Sequence, residues 1–111
     1  MFEKLEITRM AQALSAHAGA RLGLIAQNVA NADTPGYKAK DLPDFASVWR
    51  DGGNDQAVTR NAPGDASPDG NTVSLEHEML AAADVRQSNE MALAIYRSTS
   101  DILRASLGRS R

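Results

Sequence analysis

The sequence predicts an all-α protein in which a long N-terminal helix and a long C-terminal helix form a coiled-coil-like hairpin. A loop rich in glycine, aspartate and proline is expected to join them. All four prolines lie between positions 35 and 68, so neither flank carries a helix breaker. Both flanks repeat apolar or small residues every three or four positions, which is the spacing of one helical face. With 111 residues, the chain is expected to form a single domain over residues 1–111.

The first helix is expected over residues 2–33. Gly19 and Gly23 give it a Gly-x-x-x-Gly spacing, and each glycine costs a helix about 1 kcal/mol relative to alanine. They either allow another helix to approach closely or are simply tolerated. The apolar or small residues of its predicted face are Ile7, Ala11, Leu14, Ala18, Leu22, Ile25, Val29 and Ala32.

This helix is expected to stop abruptly at a turn. Thr34 precedes a proline, which disfavours a helical conformation at that position. Pro35 and Gly36 fit the two central positions of a type II turn, because proline presets φ and glycine accepts a positive φ. Tyr37 follows the turn, where its ring could cover the helix end or could lie against an adjacent subunit.

Asn28 and Asn31 flank the predicted helix end, and two interpretations of their side chains remain open. In the first, the amides cap a fraying helix end. In the second, they hydrogen-bond to the backbone of a neighbouring subunit.

The connection between the helices is expected to be a turn and linker over residues 34–73. Its segment 51–71 contains four Gly, four Asp, three Asn and two Pro. So little apolar surface cannot offset the entropy of ordering the chain, and we expect this segment to be flexible. The preceding Leu42, Phe45 and Trp49 predict a short helix or an extended segment packed on the long helices.

The second helix is expected over residues 75–107, with Ser74 as its N-cap and Gly108 as the residue that follows its end. Its predicted contact row follows a heptad-like rhythm, with steps of four and three. That row is Leu75, Met79, Ala82, Arg86, Asn89, Leu93, Tyr96, Ser100, Leu103 and Leu107.

Composition and motifs argue against most chemical functions. Twelve basic and fourteen acidic residues give a net charge of −2, without the basic excess typical of nucleic-acid binders. The absence of cysteine excludes disulfides and thiolate metal sites. His77 begins a sequence like the zincin helix motif, but position 81 is alanine. We therefore expect no enzyme activity, no catalytic or metal-binding residues, no cofactor, no nucleic-acid partner and no small-molecule substrate.

The N-terminal residues lack the apolar core of a secretory signal, and the apolar runs are too short to span a membrane. Composition by itself would therefore place the chain in the cytoplasm. The apolar faces of both helices are also meagre for a stable two-helix monomer, so more burial is expected against other chains. The residues expected to mediate helix packing and assembly are Ile7, Leu14, Ala18, Leu22, Ile25, Val29, Leu75, Met79, Leu93, Tyr96, Leu103 and Leu107.

Two stretches carry a family resemblance. The turn motif, taken here as Asn28, Ala30, Asn31, Thr34, Pro35, Gly36 and Tyr37, resembles the signature of bacterial flagellar rod, hook and hook-associated proteins. Residues 70–79, Gly-Asn-Thr-Val-Ser-Leu-Glu-His-Glu-Met, look like the FlgB-type proximal rod proteins. The short middle and Pro43 depart from the family pattern without affecting the helices.

The resemblance implies a structural subunit of the proximal rod of the flagellar basal body, which polymerises through its terminal helices and transmits torque. Implied partners are itself, other rod proteins, membrane-ring and adaptor proteins, and the type III export apparatus in transit. The implied location is the periplasm-spanning rod, reached without a cleaved signal peptide. This replaces the cytoplasm as the expected location. The alternatives are a FlgC-type rod neighbour and a soluble coiled-coil adaptor outside the flagellum.

Overall fold

The computed structural model describes residues 2–52, 58–59 and 67–109. The molecule is elongated, with principal extents of 68 × 24 × 18 Å. Two long helices pack antiparallel along it, which confirms the predicted all-α hairpin. The elements are α1 (Phe2–Ala30), β1 (Lys40–Asp41), α2 (Phe45–Arg50), β2 (Val58–Thr59) and α3 (Leu75–Arg109).

Helix α1 ends at Ala30, three residues before the expected end at position 33. The backbone N–H of Asn31 is shared between the carbonyls of Gln27 and Asn28, at 3.1 and 3.2 Å. The Asn31 side-chain amide also donates to the Gln27 carbonyl at 2.8 Å. The bond to Asn28, three positions back, tightens the last turn, and the side-chain amide shares the Gln27 carbonyl with the regular helical bond. The approaching Pro35 then keeps the chain from resuming the helix.

Helix α3 begins as predicted at Leu75, because the Ser74 hydroxyl accepts a hydrogen bond from the backbone N–H of His77 at 3.2 Å. It continues to Arg109, two residues beyond the expected end. The interpretation of Gly108 as the residue following the helix is therefore wrong. Gly108 has no positive φ, so it does not form the left-handed cap that would stop the helix.

The contact between α1 and α3, here called the seam, is built mainly from small side chains. Its alanines are at most 3% exposed, and such small residues let two helix backbones approach closely. The buried apolar residues and threonine of the seam are Ala11, Ala18 and Ile25 of α1, and Ala81, Val85, Ala92 and Thr99 of α3.

The rotational setting of α3 differs from the prediction. The predicted contact row ran through Met79, Ala82 and Leu93, whereas the seam runs through the residue before each of them. Leu93 and Met79 are consequently exposed, at 44% and 74%. The prediction followed the largest apolar side chains, but the alanines of α1 leave room for a close contact with the small row of α3.

The linker packs on one side of the hairpin. Strand β1 pairs antiparallel with β2, with Lys40 opposite Thr59, which the sequence did not predict. Helix α2 buries Val48, so of the two forms expected for this segment, a short helix or an extended segment, the chain adopts the helix. The expectation of flexibility at 51–71 falls largely outside the described residues. Among the residues that are described, no helix has an apolar stretch long enough to cross a membrane.

Candidate assembly site

The turn motif forms the predicted type II turn. The Thr34 carbonyl accepts a hydrogen bond from the backbone N–H of Tyr37 at 3.2 Å, which closes the four-residue turn. Gly36 has a φ of 75°, the left-handed conformation that this turn requires at its third position. A glycine is favoured there because a Cβ in this conformation crowds the following carbonyl.

A second segment, residues 67–72, lies across this turn. The Asn71 side-chain amide donates to the Asn31 carbonyl at 2.9 Å and to the Thr34 carbonyl at 2.7 Å. Asn71 is only 3% exposed, and its amide adds a second donor to two carbonyls that already accept backbone hydrogen bonds within the turn. Gly70 suits the crossing because its φ is 84°, a backbone conformation that residues with a side chain rarely adopt.

Backbone hydrogen bonds extend this crossing. The Gly36 N–H donates to the Asp69 carbonyl at 2.9 Å, and the Thr72 N–H donates to the Tyr37 carbonyl at 3.0 Å. The Thr72 hydroxyl accepts from the N–H of Ala39, which is fully buried, at 2.8 Å. Sequence reasoning missed the roles of Asn71 and Thr72. The available signal was a run of polar residues just before an N-cap, which also fits an ordinary loop.

Asn28 is fully buried and fills all its hydrogen-bonding positions inside the chain. Its amide nitrogen donates to the Lys40 carbonyl at 2.8 Å and to the Glu78 carboxylate at 3.1 Å. Its amide oxygen accepts from the Lys40 N–H and from the Tyr37 hydroxyl, each at 3.0 Å. Neither earlier interpretation describes this side chain, since it neither caps the helix end nor remains available to a neighbouring subunit. Asn31, by contrast, does cap the end of α1.

Glu78 is the α3 member of this buried group, with 1% exposure. It lies in the first turn of α3, where an acidic side chain is also favoured by the helix N-terminus alone. The sequence did not indicate that Glu78 faces α1, because the predicted contact row passes through the next residue, Met79. The buried Asn28–Glu78 contact thus connects the end of α1 to the first turn of α3.

Further polar contacts fix the linker on α1. The Arg21 guanidinium donates two hydrogen bonds to the Asp41 carboxylate, at 2.9 and 3.3 Å. His17 donates through Nε2 to the Pro43 carbonyl at 2.8 Å, and its ring meets the edge of Phe45 at 5.7 Å. His17 therefore has a structural position in this chain, at the point where α2 docks.

The residues predicted to mediate packing and assembly divide into three groups. Ala18 and Ile25 are buried in the seam. Leu14 and Leu103 are half-buried. The others expose 40% or more of their surface, namely Ile7, Leu22, Val29, Leu75, Met79, Leu93, Tyr96 and Leu107.

On the side of the hairpin away from α2, the two helices border two shallow grooves that form one open face. Leu22 and Gly19 lie along its α1 border, and Leu93 and Tyr96 lie along its α3 border. The Ser15 hydroxyl and the Asn89 amide oxygen are 3.1 Å apart across it. A Cβ built on Gly19 would have no heavy atom of the described structure within 4 Å. The helix of this chain thus gains no packing from that glycine.

The described residues contain no cluster of three or more His, Cys, Asp or Glu side chains able to hold a metal ion. The Ser67 hydroxyl donates to Asp69 at 2.6 Å, and this bond and the Asn71 N–H lower the pKa of the Asp69 carboxyl below 3.8. Asp69 is exposed, and its pKa shift reflects a loop hydrogen bond rather than a reactive cleft.

Comparison with known proteins connects this geometry to a family. The family described as Flagella basal body rod protein matches residues 10–38, which include the turn motif and the α1 border of the open face. The flagellar basal body rod protein FlgB of Salmonella typhimurium is 34% identical over 105 residues, an alignment covering 70% of this chain and 75% of that protein.

The chain belongs to the flagellar basal body rod protein family. It is a FlgB-type rod protein, as the resemblance implied, and a structural component of the flagellar basal body rather than an enzyme. Membership also implies assembly with other basal body rod proteins. The rod protein therefore has to present surfaces to other subunits, and the open face is a region of the hairpin that the described part of its linker leaves uncovered.

Proposed function

We propose that this rod protein polymerises through α1 and α3 and transmits torque in the proximal rod. The observation that carries the proposal is the open face, in which Gly19, a position without a side chain, and Leu22 line one groove while Leu93 and Tyr96 line the adjoining one. A missing side chain lets a second helix approach closely, and the exposed large apolar residues along the face gain burial when that helix arrives. The proposed occupant is a terminal helix of an adjacent rod subunit, either a copy of this chain or another rod protein.

Transmission of torque follows from the same arrangement. A load carried along a tube passes from subunit to subunit through packed helices, because close-packed interiors deform little. Head-to-tail contacts form an open helical array when the rotation between subunits does not close a ring, and such an open array is the form proposed here. The inner part of the periplasm-spanning rod, beside membrane-ring and adaptor proteins, is the location proposed for these contacts. Passage through the type III export apparatus without a cleaved signal peptide is part of the same proposal.

The proposal is tested by Leu93→Asp in cells whose own rod gene is replaced by the variant gene. A carboxylate at the centre of the open face would have to be buried without a partner when a subunit docks. We expect a folded hairpin, since Leu93 is outside the seam, together with loss of basal-body rods in electron micrographs and loss of swimming.

The matched control is Ala94→Asp, which introduces the same charge at the next residue, about 100° around the helix. Ala94 is exposed and does not border either groove. Cells with this variant should assemble rods and swim. Normal rods in the Leu93→Asp cells would contradict the proposed contact. By comparison, Leu14→Asp should disturb the hairpin itself, because Leu14 is half-buried beside the linker.

A further inference from the structure

The seam holds the two helices together but does little to fix their alignment along the axis. Ala11, Ala18 and Ile25 lie seven residues apart on α1. On α3, Val85, Ala92 and Thr99 have the same spacing. A slip of one heptad, about 10.5 Å, would therefore bring seam residues against seam residues again. Small and similar side chains distinguish poorly between such alignments.

Glu78 begins the same heptad row, seven residues before Val85. It is the only residue of that row with an ionisable side chain, and its partner on α1 is the buried amide of Asn28. A slip in one direction would place Asn28 opposite Val85. A slip in the other direction would place it opposite residues that precede α3. Either slip would separate the buried amide and the buried carboxylate from each other, and an unpaired buried polar group is costly.

We propose that the buried Asn28–Glu78 hydrogen bond sets the register of α1 against α3. Asn28 is then a positioning residue: it selects one alignment among several that the small seam permits, as a single buried polar residue does in coiled coils. The open face depends on this alignment, because it combines side chains from both helices. The register itself does not require the proposed assembly, so it can be tested on the isolated chain.

The hydrogen bonds between residues 31–39 and residues 69–72 lie beside this contact, but none of them involves a residue of α3. Asn71 binds the Asn31 and Thr34 carbonyls, but it precedes α3 by four residues and fixes the loop rather than the seam. The Ser15–Asn89 contact is only half-buried, so water can replace it after a slip. These two contacts provide the controls for the test.

The test uses cysteine pairs, since the natural chain has no cysteine. Ala11→Cys is combined with Ala92→Cys to report the observed register, because both alanines are buried and line the same groove. Combination with Val85→Cys or Thr99→Cys reports a slip of one heptad in either direction. A disulfide requires Cα atoms within about 7 Å, whereas the slip is about 10.5 Å, so the pairs distinguish the alignments.

In the otherwise natural full-length chain we expect the Ala11–Ala92 pair to cross-link at least about tenfold more than either slipped pair. The double variant Asn28→Leu/Glu78→Leu replaces the polar contact by apolar side chains. It should retain helical circular dichroism while the slipped pairs form in amounts similar to the observed pair. Glu78→Gln keeps an acceptor oxygen for Asn28 and should keep the single register.

Asn71→Ala and Ser15→Ala are the controls and should both retain the Ala11–Ala92 cross-link alone. If the double variant also forms only that cross-link, the proposal is wrong, and the loop contacts set the register. If the double variant loses its helical signal, the contact supplies folding stability rather than alignment, which also overturns the proposal. Failure of the Leu93→Asp experiment would leave these cross-linking results unaffected, so the two proposals fail separately.

Discussion

The Tyr37 hydroxyl donates a 3.0 Å hydrogen bond to the side-chain oxygen of Asn28, nine residues earlier in the chain. The turn motif therefore folds back on the helix that precedes it. Its aromatic residue is half-buried against its own chain and completes the buried polar group around Asn28. The family signature in this region thus describes an internal structure, which positions the helices that other subunits contact.

The first prediction concerns this bond. Tyr37→Phe removes the hydroxyl and leaves one lone pair of the Asn28 oxygen without its donor. We expect a decrease of about 1 kcal/mol in the free energy of unfolding, measured by urea denaturation followed by circular dichroism. Tyr96→Phe is the matched control, because Tyr96 is 42% exposed, and it should change stability by less than about 0.5 kcal/mol. Equal effects of the two substitutions would contradict the assigned role of Tyr37.

The second prediction concerns the conformation of the turn. Gly36→Ala places a Cβ on a residue with a φ of 75° and should lower stability by about 1 kcal/mol. Asparagine tolerates this conformation better than alanine, so Gly36→Asn should lose less. Among the described residues, no atom beyond the adjacent chain lies within 4 Å of a Cβ at this position, so the penalty comes from the local backbone conformation and not from contact with distant residues. Thermal unfolding of the two variants and the natural chain measures these losses. A Gly36→Ala protein as stable as the natural chain would contradict the prediction.

The third prediction separates the stability of the hairpin from its assembly. Gly19→Leu should raise the stability of the isolated chain by up to about 1 kcal/mol, since leucine favours helix over glycine and no heavy atom of the described structure lies within 4 Å of a Cβ at this position. The same substitution should reduce rod formation in cells, because it occupies the space proposed for a neighbouring helix.

The control for this prediction is Ala20→Leu, which adds a leucine at an exposed position on the side of α1 away from the seam. Rod formation should be normal in these cells. If Gly19→Leu cells assemble rods as efficiently as Ala20→Leu cells, close approach at Gly19 is not needed, and the open face has a different use.

The fourth prediction concerns pH. The Ser67 hydroxyl and the Asn71 N–H hold the pKa of Asp69 below its ordinary value of 3.8. A lowered pKa in the folded state means that ionised Asp69 contributes stability above pH 3.8. That contribution is lost as the pH falls from 3.8 through the folded-state pKa.

An NMR titration of the Asp69 carboxyl carbon measures the pKa of Asp69 in the folded chain directly. In the Ser67→Ala variant, the pKa of Asp69 should rise towards 3.8, because the hydroxyl that does most to lower it is removed. An unchanged pKa would show that the 2.6 Å bond between the two side chains does not persist in solution.

Several local features could be predicted because each depends on residues close together in sequence. Pro35 and Gly36 carry the requirements of a type II turn within two residues. Ser74 combines an N-cap side chain with the start of an apolar periodicity. The predicted end of α1 lies three residues beyond the observed end. An apolar pattern does not reveal the hydrogen bonds that the Asn31 side chain and backbone make at this end.

The amino-acid sequence by itself determined that two long helices flank a proline-containing linker, that the first ends at a tight turn, and that large apolar residues exceed what one hairpin can bury. Only the tertiary structure decided which face of α3 meets α1. A periodic apolar pattern limits a helix to a broad face, whereas the close fit of Ala18 against Ala81 and Val85 selects one rotation within it. The hydrogen bond between Asn28 and Glu78 likewise joins residues fifty positions apart, and it forms only when both helices are in place.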